Sequence, residues 1–203
     1  MRGVRTSLAF SQLLEGLQDY DYVLFDVSPS LGALNRSIML SSDFFISPVS
    51  LDIFSLKAFE NIAAWIEGWW QEWERGLENV RRKDAIPKLG YSKPQFIGYV
   101  TQSYLAKRDS HGQRRAVQAY EGIRKQIDNI IIEHNLAGNL NRKALEIGTV
   151  PNLFSLVPMS QSGHTPIFGL TASDGVVGAH FSKVKESLEI FKSVSREFMR
   201  RTS

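Results

Sequence analysis

The 203-residue chain contains no cysteine. Disulfide frameworks, thiol nucleophiles and cysteine-ligated zinc or iron–sulfur centres are therefore excluded, and the composition fits a cytoplasmic protein. No lysine follows a glycine anywhere, so the phosphate-gripping pattern G-x-x-x-x-G-K-[ST] is missing. No apolar run approaches the ~20 residues that cross a bilayer, and the N-terminal stretch lacks the apolar core of a secretory signal. His111, His134, His164 and His180 show no metal-ligand spacing. There is no G-x-S-x-G elbow to activate a serine. What remains is ordinary: 43% hydrophobic and 22% charged residues suit one globular domain over 1–203. A net charge of +3 and a pI near 9.2 permit nucleic acid or another anionic surface as partner without requiring one.

Hydrophobic periodicity alternates between two kinds of segment. Residues 22–27 form an apolar run interrupted only by Asp26 and predict a strand buried on both faces. Phe44 to Val49, Phe96 to Thr101 and Leu153 to Val157 predict three more, with Pro48 and Pro158 as stops. Between them lie helical patterns over 6–18, 33–41, 54–80 and from Val117 to His134. Residues 135–152 read as loop and short helix. A last helix is expected from Asp174 as N-cap, with Val177, Phe181, Val184, Leu188, Phe191 and Phe198 along one side. Buried strands alternating with amphipathic helices predict an α/β fold with a mainly parallel sheet. Ligands in such sheets bind beyond the carboxyl ends of the strands, where Asp26, Pro48, Thr101 and Pro158 are expected to gather.

An aspartate closing an apolar strand is what a magnesium–nucleotide site uses, because the strand holds the carboxylate rigidly against a metal-bound water. Asp also favours turns for its own hydrogen bonding, so Asp26 alone leaves both readings open.

The order of features narrows the choice. Tyr20-Asp21-Tyr22, Asp26, Pro29, Leu31-Gly32, Pro48-Val49, Asp52, Phe54 and Leu56 together resemble the ParA/MinD/Soj family of deviant-Walker ATPases. Gly98-Tyr99-Val100-Thr101 resembles a later strand of that family, and Val157-Pro158 with Gly163-His164-Thr165-Pro166-Ile167 resembles its base-side loop. The resemblance implies a three-layer α/β/α P-loop NTPase of the SIMIBI kind, here without the N-terminal P-loop strand. Only 25 residues precede Asp26, so the chain reads as the C-terminal portion of a ParA-like ATPase domain.

By the same resemblance, Asp26 is the catalytic, magnesium-side carboxylate, acting on Mg2+ through water. Ser28, Pro29, Ser30 and Gly32 belong to the switch that follows it. Thr101, Gln102, Pro158 and Met159 line the nucleotide base. ATP or ADP with Mg2+ is the cofactor expected of the full-length family. A homodimer, an adaptor of the ParB type and non-specific DNA are the expected partners, in the cytoplasm or on the nucleoid. Without the P-loop and its lysines, the resemblance leaves open whether this chain alone binds nucleotide or hydrolyses it. Met159 stands where the family often has Arg. The alternative is a non-enzymatic interaction module that kept the scaffold and lost the nucleotide. A nitrogenase-reductase-like relative is disfavoured by the absence of cysteine.

Three surface features were open to two readings. Lys107-Arg108 and Arg114-Arg115 suit either phosphate contacts or a solvated loop. Trp69 and Trp73 fall on the apolar stripe of the longest helix and are expected in the core, while Trp65 and Trp70 lie off it and suit a partner surface. Arg200-Arg201 could end a membrane-binding helix, but its apolar stripe is the one needed to cover the sheet, so membrane binding is disfavoured.

Overall fold

The computed structural model describes residues 13–27, 32–79, 93–104, 106–108, 114–116, 118–138, 140–141 and 145–203. Cα packing divides the chain into two compact units, Met1–Phe45 with Glu60–Phe96 and Ile46–Phe59 with Ile97–Ser203.

In chain order the elements are α1 (Ala33–Leu40), β1 (Phe44–Ser50), α2 (Ile53–Glu78), β2 (Gln95–Tyr104), β3 (Ala106–Arg108), β4 (Arg114–Ala116), α3 (Gln118–Glu133), β5 (Glu146–Pro151), α4 (Leu156–Gly163) and α5 (His180–Thr202), with 3-10 turns at Ile167–Gly169 and Ala172–Asp174. One sheet has the order β1-β2-β5, and β3 pairs with β4 in a separate antiparallel hairpin. β2 and β5 run parallel, as the alternating pattern predicts. Pro48 lies inside β1 and does not end it. An outer strand tolerates a missing N–H better than a central one.

Helix α2 opens where the Asp52 carboxylate accepts the Ser55 N–H at 2.8 Å, an N-terminal cap. Phe59, Ala63, Ile66 and Trp73 are its buried residues. Trp69 is only half-buried and stacks on Trp65, with centroids 6.4 Å apart. Of the two tryptophans expected in the core, Trp73 is there and Trp69 is not. In the second unit Ile127 and Ile131, one helical turn apart on α3, are fully buried, and the ring of Phe59 meets that of Tyr99 edge-on at 6.2 Å. Leu156, Leu170, Val176 and Val184 form a further cluster that joins α4 and α5.

Three further expectations fail. Residues 22–27 form no strand, and Tyr22, Val23 and Leu24 are exposed. An apolar run becomes a buried strand only where neighbours supply its ladder bonds, and this one takes no strand conformation. The fourth strand is Glu146–Pro151, inside a stretch that read as loop. Leu153 and Phe154 are in the turn after it, while Leu156 and Val157 open α4, with Pro158 in the helix's first turn, where a missing N–H costs little. The last helix begins at His180. Asp174 instead forms a capping box with Thr171 around a 3-10 turn, leaving Val177 outside the helix and 65% exposed. The pattern over 6–18 is described only from residue 13, and 13–15 are helical.

Candidate functional site

The parallel pair of β2 and β5 brings Tyr104 opposite Pro151, so the two strands end level at their carboxyl side. That side is where open α/β sheets take ligands. Beyond Pro151 the chain turns sharply. The Asn152 side chain accepts the Phe154 N–H at 2.8 Å, and Phe154 adopts φ 45°, a left-handed conformation rare for a bulky residue. Phe154 is 60% exposed, with the Lys183 ammonium 5.9 Å from its ring centre. The neighbouring Ser155 hydroxyl lies 3.2 Å from His180 Nε2.

Behind this edge the strands carry a polar network in which, among the described residues, the Arg124 Nε alone is buried without a hydrogen-bond partner. Thr101 is fully buried, and its hydroxyl donates to Glu146 Oε1 at 2.7 Å. The Thr149 hydroxyl donates to the same oxygen, also at 2.7 Å. Arg124, on α3, pairs with Glu146 Oε2 at 2.5 Å. Burial works against the Arg124 charge, but the attraction and hydrogen bond of Glu146 outweigh it and hold the guanidinium above its ordinary pKa. The Tyr99 hydroxyl donates to Asp128 at 2.9 Å. Burial, reinforced by the Asp128 charge, pushes that phenol far above its usual range, so it stays protonated. The network ties α3 to both strands. It is a structural device, because its carboxylate oxygens are already engaged.

Thr101 is therefore three residues short of the strand end and not at a rim, contrary to the position expected of it. Its neighbour Gln102 is exposed. Pro158 and Met159 lie in α4, and Met159 packs against the cluster around Leu156. The proline that ends the strand beside β2 is Pro151, followed by Asn152. Val150-Pro151, seven residues before Pro158, carries the same apolar–proline signature at the end of that strand.

Asp26 is exposed on an irregular segment and does not close a strand. An exposed carboxylate of this kind suits contact with a magnesium-bound water, since Mg2+ keeps several waters in such sites. Ser28, Pro29 and Ser30 lie outside the described residues. Gly32 is extended and precedes α1 as its cap.

Lys107, Arg108, Arg114 and Arg115 are brought together by the hairpin. Lys107 pairs with Arg115 and Arg108 with Arg114 across β3 and β4. The sequence showed a polar loop here, and the cross-strand pairing of like charges was not legible in it. Glu146 and Arg124 were also missed: an isolated Glu before an apolar strand and an Arg on a helix look like surface residues until the fold pairs them.

An AAA domain family model matches residues 2–78. Two curated proteins named IncC, both from Escherichia coli, are 26% identical over 99 residues and 28% identical over 103 residues. These matches cover 49% and 50% of this chain but only 22% and 24% of the relatives. A ParA family protein of Chlamydia pneumoniae is 35% identical over 57 residues, which is 28% of this chain and 22% of that protein. A solved structure from Corynebacterium diphtheriae aligns with 75% of this chain and 50% of its own, at 25% identity and a TM-score of 0.46.

Proposed function

We propose that this chain, which belongs to the ParA family, works in the partitioning or positioning of DNA or protein cargo as part of a nucleotide-switched, dimerising ATPase. The observation that carries the reading is the parallel β2–β5 pair with level carboxyl ends, in a chain whose first 78 residues contain the family match. The roles are distributed as follows. Asp26 would hold Mg2+ through water, and the ion would supply neutralisation of developing phosphate charge. Residues 28–32 couple nucleotide state to partner binding. Gln102, Pro151 and Asn152 flank the base at the strand ends. The sequence holds no G-K-[ST] to grip phosphate. The basic hairpin takes non-specific DNA, and an adaptor protein stimulates turnover.

A second reading, an interaction module without nucleotide, is favoured by that missing motif together with exposed apolar side chains such as Phe54, which is 82% exposed. Calorimetry with MgATP separates the two. The 203 residues alone are expected to bind weakly or undetectably. A polypeptide carrying these residues behind a phosphate loop is expected to bind at micromolar concentration and to lose its turnover in Asp26→Ala. Unchanged ATP hydrolysis in that variant removes Asp26 from the mechanism, and no nucleotide binding by the longer polypeptide favours the module.

A further inference from the structure

Arg201 lies in the last turn of α5, and its side chain is only 4% exposed. Its Nη1 donates to the Ile97 carbonyl at 2.6 Å and its Nη2 to the Glu146 carbonyl at 3.0 Å. Those carbonyls belong to β2 and β5, so one guanidinium bridges two adjacent strands. Its Nε donates to Glu197 Oε1 at 2.7 Å, which aims the fork from within the helix.

The bridge falls where the parallel ladder is irregular. Tyr99 pairs with Glu146, but Val100 pairs with Gly148, so Ile147 is an extra residue on β5. Two backbone features accommodate the intrusion. Gly98 has φ 130°, and a Cβ there would come within 2.5 Å of Arg201 Nη1 and 2.6 Å of the Leu145 carbonyl. Gly148 lets Val194 of α5 approach, since a Cβ would meet its Cγ2 at 2.9 Å. A bulge of this kind breaks the regular ladder bonds and re-aims the strand.

We propose that Arg201 sets the register of the β2–β5 pair. Its planar fork holds the Ile97 and Glu146 carbonyls together at the bulge, fixes the one-residue offset there and thereby brings Val100 opposite Gly148 and Thr101 opposite Thr149, before a second irregularity between Thr101 and Tyr104 returns the strands to their first offset. This gives the C-terminal helix control over the register at the Thr101–Thr149 pair, a role distinct from the membrane contact that a terminal Arg-Arg pair brings to mind. Lysine cannot substitute, because an ammonium lacks the rigid two-pronged geometry that spans two carbonyls.

The test is residue-resolved amide exchange and interstrand NOE measurement by NMR on the wild-type chain, Arg201→Ala and Arg201→Lys. In both variants, exchange at Val100, Thr101, Gly148 and Thr149 is expected to accelerate by about tenfold or more while Ile127 and Ile131 of α3 keep their protection. The NOEs between the Val100–Thr101 and Gly148–Thr149 segments are expected to weaken or move. If Arg201→Ala does not fold, Arg201→Lys supplies the same readout. Uniform loss of protection across the unit, unchanged exchange, or full rescue by lysine would overturn the proposal, since each describes an anchor or a charge and not a register clamp.

Discussion

Thr101 and Thr149 face each other across the parallel strands, and both hydroxyls donate to one carboxylate oxygen of Glu146 at 2.7 Å. The other oxygen takes Arg124. Removing the carboxylate leaves a half-buried guanidinium and two hydroxyls without their acceptor. Glu146→Ala is therefore expected to destabilise by about 3 kcal/mol, within the range for breaking a buried pair by deleting one partner. Thr149→Val removes one neutral-to-charged hydrogen bond and is expected to cost about 1.5 kcal/mol. Urea unfolding of the two single variants and the double variant checks both values. The double variant should cost less than their sum, because the hydrogen bond is lost in both singles.

Acid sensitivity follows from Glu197. Hydrogen bonds from Arg200 and, behind it, Arg201 hold this carboxyl down from the ordinary 4.5 to about 2. A depressed carboxyl contributes stability above its unfolded pKa and loses it as pH falls toward the folded value. The contribution is complete above about pH 5 and lost progressively between 4.5 and 2. The side chain is 27% exposed, so solvent screening reduces it to about 1 kcal/mol. Glu67, Asp174 and Glu189 are also held down by their hydrogen bonds, which makes the difference between proteins the informative quantity. Thermal melts at pH 7 and pH 3 should show Glu197→Gln losing less stability on acidification than wild type, by about 2–4 °C in Tm.

The elements legible in the sequence were those whose pattern is local. The stripe of Phe59, Ile66 and Trp73 on α2 and the dense apolar run at Phe96–Val100 need no partner to be recognised. The segment 22–27 shows the opposite case: Val23 and Leu24 have the composition of a buried strand, yet burial depends on neighbours that composition cannot report. β5 was missed because Glu146, Gly148 and Pro151 dilute its apolar character, and each of them has a tertiary cause. Glu146 closes the polar network, Gly148 admits Val194, and Pro151 ends the strand. At the candidate site, Asp26 and Gln102 are exposed, whereas the hydroxyl of Thr101 is consumed inside the sheet. A sequence motif identifies the strand but not which of its residues face a ligand.

Phe59 and Phe154 separate burial from strain. Phe59 is 1% exposed against Tyr99, and Phe59→Ala is expected to cost about 3–5 kcal/mol from lost transfer energy and the cavity left behind. Phe154 is 60% exposed and sits at φ 45°, where a side chain costs about 1–2 kcal/mol relative to glycine. Phe154→Gly is therefore expected to leave the Tm unchanged or raise it by a few degrees. A large destabilisation in Phe154→Gly, read by denaturant titration, would mean that its ring does more packing than its exposure allows.

The hairpin makes a prediction about salt. Like charges placed directly opposite each other in a two-stranded ladder repel, and the backbone register sets Lys107 opposite Arg115 and Arg108 opposite Arg114 at two successive positions. A polyanion relieves that repulsion and gains from counterion release as it binds. Removing the Lys107–Arg115 pair as alanines is expected to weaken binding to random-sequence duplex DNA about tenfold near 0.1 M salt, and to lower the slope of log K against log salt by about 2. The same change should stabilise the hairpin slightly in the absence of DNA, because the repulsion goes with the charges. Fluorescence anisotropy across a salt series reads the first effect, and amide exchange at Ala106 and Ala116 reads the second. Equal affinity and equal slope in the variant would show that the hairpin's charge serves something other than a nucleic-acid backbone.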